Sequence, residues 1–147
     1  MENYWATKFV PPLAPSQGDV YLYQQFMLDG NTLLLGVTSQ LIDLADKALD
    51  IDPFTVTDKV IKGDWLTNTY SATNIIGDGC FNLLTMDQCN QLVSMASKHS
   101  KRLIIRSFNY RLKEMKIAEH FPKKEDFDVS PNEWLEFEKY TFLIWKF

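Results

Sequence analysis

The sequence predicts an α/β protein built around a mostly parallel sheet. Short apolar runs of strand length alternate with segments whose apolar residues recur at helical spacing, as Val20, Tyr23 and Met27 do. Two helical segments begin with a capping pattern, one at Ser16 and one at Thr85. Strands that alternate with helices are joined by right-handed crossovers and pack as layers around a sheet.

The order of elements follows from local patterns. The wholly apolar run that begins at Thr32 is typical of a buried parallel strand, and the last eight residues are rich in strong β-formers. The predicted strands are Thr32–Leu35, Lys47–Ile51, Val60–Ile61, Asn74–Ile76, Leu103–Ile105 and Tyr140–Phe147. We expect helices after Ser16 and Thr85, a short helix from Ser39 to Asp46, and a helix over Tyr110–Phe121.

Length and composition bound the class of protein. The 147 residues, 46% of them hydrophobic, suffice for one domain with a substantial core. No apolar run approaches the length of a membrane span, and no signal peptide is recognised at the N-terminus. Cys80 and Cys89 form no CxxC pair, which argues against a disulfide framework and a zinc site. We therefore expect a cytoplasmic protein that binds neither metal nor membrane.

Charge is distributed unevenly along the chain. The net charge of −4 does not favour a nucleic-acid-binding protein. Residues 98–116 are the cationic exception, with seven Lys or Arg residues against one acidic residue. This stretch is either a solvated helix end and loop or a surface for an anionic substrate or a partner.

Candidate ligand groups follow the predicted strands, because ligands of open parallel sheets bind beyond the carboxyl ends of the strands. Gly36-Val37-Thr38 follows the first strand and leads into a predicted helix, where backbone N–H groups can face an anionic group. Asp50-Ile51 ends the second strand, and a carboxylate there can accept from both hydroxyls of a ribose.

Two further segments lie at later strand ends. Gly63-Asp64-Trp65 places an acceptor beside an aromatic plane, which suits an adenine ring and its amino group. Gly77-Asp78-Gly79 surrounds an acid with two glycines, which indicates positive φ or close backbone approach. Four successive strand ends with groups suited to a nucleoside favour a nucleoside site.

At residues 5–108 the chain resembles the class I S-adenosylmethionine-dependent methyltransferases. The strings that carry the resemblance are LLLGVTSQL, ALDIDP, GDWL, NIIGDGCFNLL and RLIIRSF, in the order found in that family. The resemblance implies a Rossmann-like methyltransferase three-layer sandwich whose core spans residues 19–108. Residues 1–18 form an N-terminal arm, and residues 109–147 form a divergent tail in which the sheet is reduced at its C-terminal end.

The resemblance also implies a cofactor site and a product, S-adenosylhomocysteine. Gly36, Val37 and Thr38 would line the methionine end, while Asp50 with Ile51 would hold the ribose. Adenine would lie at Asp64 and Trp65. Gly77, Asp78 and Gly79 would face the methionine portion or the substrate, and Trp5 would cover the cofactor. The chain departs from the family's pattern at Leu34, Thr38 and Gln40, which replace an acidic residue and two glycines.

No residue stands out in the sequence as a general base. Asp78, Cys80 and Tyr4 are the candidate catalytic residues, and His99 and His120 are better explained by structural roles. Three functions stay open: methyl transfer to a small molecule, breakdown of the cofactor, and a non-catalytic binding or scaffold module. Because only one convincing strand follows residue 108, we also expect an exposed sheet edge through which two copies could pair.

Overall fold

The structure is a computed structural model that describes residues 11–51, 58–67, 70–113, 115 and 120–147. Seven strands form one sheet in the order β3-β2-β1-β4-β5-β7-β6. The strands are β1 Thr32–Leu35, β2 Lys47–Asp50, β3 Val60–Lys62, β4 Asn74–Asp78, β5 Arg102–Phe108, β6 Glu133–Glu136 and β7 Tyr140–Lys146. Strands β1 to β5 run parallel, and β7 is antiparallel to both β5 and β6.

The described α-helices, α1 (Gln17–Phe26) and α2 (Met86–His99), pack on opposite faces of the sheet. Successive side chains of a strand point to opposite faces, so Leu34 packs with Tyr23 of α1 whereas Leu33 packs with Leu92 of α2. The result is the three-layer α/β sandwich that the sequence predicts.

Local sequence explains where both helices begin. The Ser16 side chain accepts from the Asp19 backbone N–H, and the Asp19 carboxylate accepts from the Ser16 N–H. Thr85 and Gln88 make the same reciprocal pair at the start of α2. Both predicted capping boxes are therefore confirmed.

Two predictions about the connections are wrong. The segment from Ser39 to Asp46 holds only a 3₁₀-helix over Ile42–Leu44, because the eleven residues between β1 and β2 are too few for a full crossover helix. The predicted helix over Tyr110–Phe121 is not seen at its described positions, and residues 114 and 116–119 lie outside the described residues.

The sheet has one strand more than the sequence analysis foresaw. Strand β6 pairs along β7, with Trp134 opposite Leu143. We expected two copies to pair because the sheet seemed to lack a strand, and β6 is that strand. The oligomeric state itself stays a prediction. Within the described ranges, no helix is long and apolar enough to cross a membrane.

Candidate functional site

The carboxyl end of β1 turns sharply at Gly36. Its φ of +88° is a conformation that side chains with a Cβ rarely adopt, so the predicted turn after the first strand is confirmed. The Gly36 N–H donates to the Leu49 carbonyl at 2.8 Å and continues the pairing with β2. Val37 and Thr38 are half-buried beyond this turn, and the Thr38 carbonyl accepts from the backbone of Leu41 and Ile42.

Trp65 lies against this turn. Its indole Nε1 donates to the Leu49 carbonyl at 2.7 Å, the same oxygen that accepts from Gly36. A Cβ placed on Gly36 would lie 3.7 Å from the Trp65 ring. The indole therefore spans from the end of β3 to the end of β1. The structure thus brings together Gly36, which was assigned to the methionine end of the cofactor, and Trp65, which was assigned to its adenine.

Asp50 and Ile51 form the next part of this edge. Asp50 is half-buried at the end of β2, while Ile51 exposes 64% of its surface. An exposed aliphatic side chain beside a carboxylate offers an apolar surface for a ring and an acceptor for hydroxyl groups. The assignment of the ribose to this pair stays a prediction.

Asp64 is exposed after β3, and part of its role is local. Its Oδ1 accepts from the Leu66 backbone N–H at 2.9 Å, which stabilises the start of the 3₁₀-helix Trp65–Thr67. Asp64 directly precedes Trp65 in the chain, and the assignment of adenine to these two residues stays a prediction. Asp64 lies on the same carboxyl edge as Gly36 and Asp50, because β1, β2 and β3 are parallel neighbours.

The two glycines around Asp78 meet the two predicted conditions, close backbone approach at Gly77 and positive φ at Gly79. A Cβ on Gly77 would lie 2.5 Å from the Cys80 sulfur, so the backbone approaches that side chain closely. Gly79 has a φ of +72° and begins the 3₁₀-helix Cys80–Leu83. The turn after β4 is therefore built as the sequence indicates.

The Asp78 side chain, however, does not face an open site. Both of its oxygens are bound by the Arg106 guanidinium, Oδ1 to Nε at 2.6 Å and Oδ2 to Nη2 at 3.2 Å. Only 2% of the Asp78 side chain and none of the Arg106 side chain is exposed. The prediction that Asp78 faces the cofactor or the substrate is contradicted by this buried, bidentate ion pair.

Arg106 joins Asp78 to helix α1 and to the segment before it. Its Nη1 donates to Asp19 Oδ2 at 3.2 Å, and its Nη2 donates to the Leu13 carbonyl at 2.8 Å. The Tyr140 hydroxyl donates to the other Asp19 oxygen at 2.7 Å, and the Tyr140 ring lies 4.6 Å from the guanidinium carbon. We call Asp19, Asp78, Arg106 and Tyr140 the ionic cluster.

Electrostatics fits this description of the ionic cluster. Burial raises the pKa of the Asp78 carboxyl, although Arg106 opposes the shift. Burial also opposes the charge on Arg106, but Asp78, Tyr23 and Asp19 outweigh it and keep its pKa above the usual value. Sequence reasoning missed this cluster, although an arginine inside the apolar strand β5 signals a buried acidic partner.

Of the other two candidate catalytic residues, the structure describes Cys80 and does not support it. Cys80 is fully buried, its sulfur contacts the Leu35 carbonyl at 3.8 Å, and burial raises the pKa of its thiol, which disfavours the reactive thiolate. It is a core residue. Tyr4 and Trp5 lie outside the described residues.

The histidines and the basic stretch take structural positions. His99 ends α2 and lies 3.5 Å from the Ser71 hydroxyl, and the backbone N–H of His120 donates to the Asn82 carbonyl. The basic stretch does not form one surface, because Arg106 is buried while Lys98 and Lys101 lie at the opposite end of β5 from Lys113.

Solved structures with this fold are numerous. TehB from Haemophilus influenzae aligns over 99% of this chain and 66% of its own, with a TM-score of 0.64 and 13% identity. DhpI in complex with S-adenosyl-L-homocysteine aligns over 96% of this chain and 88% of its own, with a TM-score of 0.64 and 16% identity. The glycopeptide N-methyltransferase MtfA, also complexed with S-adenosyl-L-homocysteine, aligns over 69% of this chain and 52% of its own, with a TM-score of 0.53 and 12% identity.

The chain has the Rossmann-like class I methyltransferase fold. It spans about half of the length of MtfA and 66% of that of TehB. No protein-family model matches the sequence, and no curated protein is significantly similar to it.

Proposed function

We propose that the protein is an S-adenosylmethionine-dependent methyltransferase that acts on a small-molecule acceptor. The observation that carries the proposal is the pair of strand ends β1 and β2, where the Gly36 turn lies beside the Asp50 carboxylate and the exposed Ile51. These groups lie at the carboxyl edge of the parallel strands, where sheets of this class bind nucleosides. The DhpI and MtfA structures that share this fold contain S-adenosyl-L-homocysteine.

The residues of this edge fit an adenosine moiety. The Asp50 carboxylate would accept from the ribose hydroxyls, and Ile51 with Trp65 would flank the adenine ring. Asp64 has a second carboxylate oxygen that could accept from the adenine amino group. The Trp65 indole covers the Gly36 turn, so the turn would shape this part of the cleft through that ring.

S-adenosylmethionine, when bound, supplies an electrophilic methyl group on a sulfonium. Transfer of that group is an in-line displacement, so the contribution of the protein is to orient the acceptor and exclude water. A base is needed only when the acceptor must lose a proton. The buried position of Asp78 and Cys80 removes both from that role.

A binding module without catalysis is the second candidate. It is favoured by the ionic cluster, because both carboxylate oxygens of Asp78 at the end of β4 are bound by Arg106 and do not face an acceptor. The two candidates share the cofactor site and differ only in turnover.

The test is isothermal titration calorimetry with S-adenosylmethionine and S-adenosylhomocysteine, followed by mass spectrometry of the sample. We expect saturable binding that Asp50→Ala weakens by about 1–3 kcal/mol, roughly 5- to 150-fold in Kd, because the ribose loses a charged acceptor. Asp43→Ala, which removes an exposed carboxylate from the 3₁₀-helix Ile42–Leu44, is the matched control and should leave Kd unchanged.

The mass spectra then separate the candidates. S-adenosylhomocysteine that forms only with an added acceptor supports the transferase. Cofactor consumed without an acceptor indicates breakdown, and intact cofactor across an acceptor panel indicates the binding module. Absence of binding would refute the cofactor site itself.

A further inference from the structure

A second ligand site is suggested by a cavity of about 350 Å³ at the far side of the same sheet edge. It lies between the end of β5, strand β6 and the segment that leads into the 3₁₀-helix Lys124–Asp126. Its lining residues are Asn109, Phe121, Pro122, Lys123, Lys124, Glu125, Trp134 and Glu136. We call it the β6 cavity. None of its residues takes part in the proposed cofactor site or in the ionic cluster.

The apolar part of the β6 cavity is aromatic. Trp134 and Phe121 are half-buried, and Pro122 is buried beside them. Trp134 is held in place from two sides, since it packs against the core on the α2 face and its Nε1 donates to Glu136 Oε1 at 3.4 Å. A planar ring is the ligand group that best covers such a surface.

Asn109 forms one wall of the β6 cavity, and both polar groups of its side chain already have hydrogen-bond partners within the protein. Its side-chain amide donates to the Phe137 carbonyl at 2.8 Å, and its Oδ1 accepts from the Thr141 hydroxyl at 2.6 Å. The turn between β6 and β7 is thereby tied to the end of β5. The ligand-binding chemistry must therefore come from the charged residues of the rim.

The rim carries both signs of charge. Lys123, Lys124, Glu125 and Glu136 are all exposed, and none of them forms an ion pair in the part of the chain that the structure describes. Two cations and two anions around an aromatic floor complement a ligand that carries one charge of each sign. A carboxylate would be bound by the lysines and an ammonium group by the glutamates, both through charge-assisted hydrogen bonds.

We propose that the β6 cavity, with the Trp134 ring as its floor and Lys123, Lys124, Glu125 and Glu136 as its rim, binds a small aromatic zwitterion. The proposal concerns binding only and stands apart from methyl transfer, because no group of the proposed cofactor site contributes to it.

The test uses three probes on one scaffold, without cofactor. 4-(Aminomethyl)benzoate carries the ring and both charges, benzoate lacks the ammonium group, and benzylamine lacks the carboxylate. Affinities come from ¹H–¹⁵N NMR titration of the whole chain. We expect the zwitterion to bind at least about ten-fold more tightly than either singly charged probe. The Trp134 indole resonance, assigned by its loss in Trp134→Phe, should shift most among the indole signals.

Paired variants test the charges. Glu125→Gln/Glu136→Gln should reduce the affinity for the zwitterion to that for benzoate, and Lys123→Gln/Lys124→Gln should reduce it to that for benzylamine. The matched controls make the same charge changes at exposed positions elsewhere, as Asp29→Asn/Asp87→Asn and Lys98→Gln/Lys101→Gln. These controls should leave all three affinities unchanged.

Three results would overturn the proposal: no saturable binding at millimolar probe, equal affinity for the three probes, or shifts that centre on the Trp65 or Trp145 indole. The first two show that the rim does not recognise a zwitterion, and the third places the probe elsewhere. If the zwitterion does not bind, the calorimetric test of the cofactor site is unaffected. If the protein binds the zwitterion but not S-adenosylmethionine, only the proposed function is refuted.

Discussion

Two regions at the carboxyl edge of one sheet use the same residue types differently. At the ends of β1 and β2, Asp50 is half-buried and its neighbour Ile51 is 64% exposed. At the ends of β4 and β5, Asp78 is almost fully buried and both of its oxygens are bound by Arg106. An acid at a strand end is thus half-buried beside an exposed aliphatic residue in one region and enclosed in an ion pair in the other.

The difference teaches that partners distant in sequence decide what a strand-end acid does. Asp78 is separated from Arg106 by 28 positions, and Arg106 from Asp19 by 87. The ionic cluster ties the segment before α1, α1 itself and the end of the sheet together through charged hydrogen bonds. We therefore expect changes in the cluster to alter stability and changes around Asp50 to alter cofactor affinity.

The largest effect should come from removing the cation of the ionic cluster. Arg106→Met leaves Asp78 and Asp19 buried without their counter-charge, which costs about 3–5 kcal/mol of the free energy of unfolding. Urea denaturation followed by circular dichroism measures this loss. The matched control is Lys146→Met, which breaks an exposed pair with Glu133 and should cost no more than about 1 kcal/mol. Similar losses in both variants would contradict the role assigned to Arg106.

The next effect is a dependence of stability on alkaline pH. Burial, with Asp78, raises the pKa of the Tyr23 hydroxyl well above its usual value. Between the unfolded pKa of about 10 and the folded pKa, the folded chain keeps a proton that the unfolded chain loses. The stabilisation is therefore complete below pH ~10 and is lost as pH rises, by up to about 1.4 kcal/mol per pH unit.

Two phenylalanine variants isolate this dependence. Tyr23→Phe should reduce the alkaline slope of the free energy of unfolding, while Tyr140, whose pKa burial raises to about 12, keeps the rest of it. At neutral pH the variant should cost about 1 kcal/mol for the hydrogen bond to the Gly77 carbonyl. Tyr21→Phe, on the same helix but 68% exposed, should keep the wild-type slope. An unchanged slope in Tyr23→Phe would mean that the buried hydroxyl does not titrate with unfolding.

A smaller effect should come from the indole that covers the Gly36 turn. Trp65→Phe removes the hydrogen bond to the Leu49 carbonyl and should cost about 0.5–1.5 kcal/mol of the free energy of unfolding. Fluorescence titration with S-adenosylhomocysteine should lose its signal change in Trp65→Phe and retain it in Trp134→Phe. A signal change that persists in Trp65→Phe would show that Trp65 is not part of the cofactor site.

The smallest effect concerns the hydroxyl of Ser107. Among the side-chain polar atoms that the structure describes, this buried oxygen lacks a hydrogen-bond partner. Ser107→Ala removes an unsatisfied group, so we expect the free energy of unfolding to stay unchanged or rise by about 1 kcal/mol. Thermal denaturation measures the change. A loss of about 1 kcal/mol in the free energy of unfolding would show that the Ser107 hydroxyl does form a hydrogen bond.

The sequence predicted most of the sheet because its buried parallel strands are continuous apolar runs. β1 matches its prediction over Thr32–Leu35, and β2, β4, β5 and β7 were placed with small errors at their ends. β6 was missed because Glu133–Glu136 is a short edge strand with a charge at each end. Such a strand forms only because β7 supplies its hydrogen bonds.

The candidate site was predicted less completely. Gly36, Gly77 and Gly79 were found because positive φ and close approach depend on local chain geometry. Asp78 was assigned to a ligand because its partner Arg106 belongs to another strand, and local spacing does not encode that contact. The contact of Trp65 with the Gly36 turn likewise depends on the order of β1, β2 and β3 in the sheet, which local sequence does not encode.

The most direct test of the account is a ¹H–¹⁵N NMR titration with S-adenosylhomocysteine that compares the two regions. We predict that the largest shifts occur at Gly36, Asp50, Ile51 and the Trp65 indole, while the Arg106 Nε–H resonance keeps its position because its bond to Asp78 stays intact. Saturable binding with that pattern supports a cofactor site at the ends of β1 to β3. Shifts that centre on Arg106, or no binding at all, would contradict it.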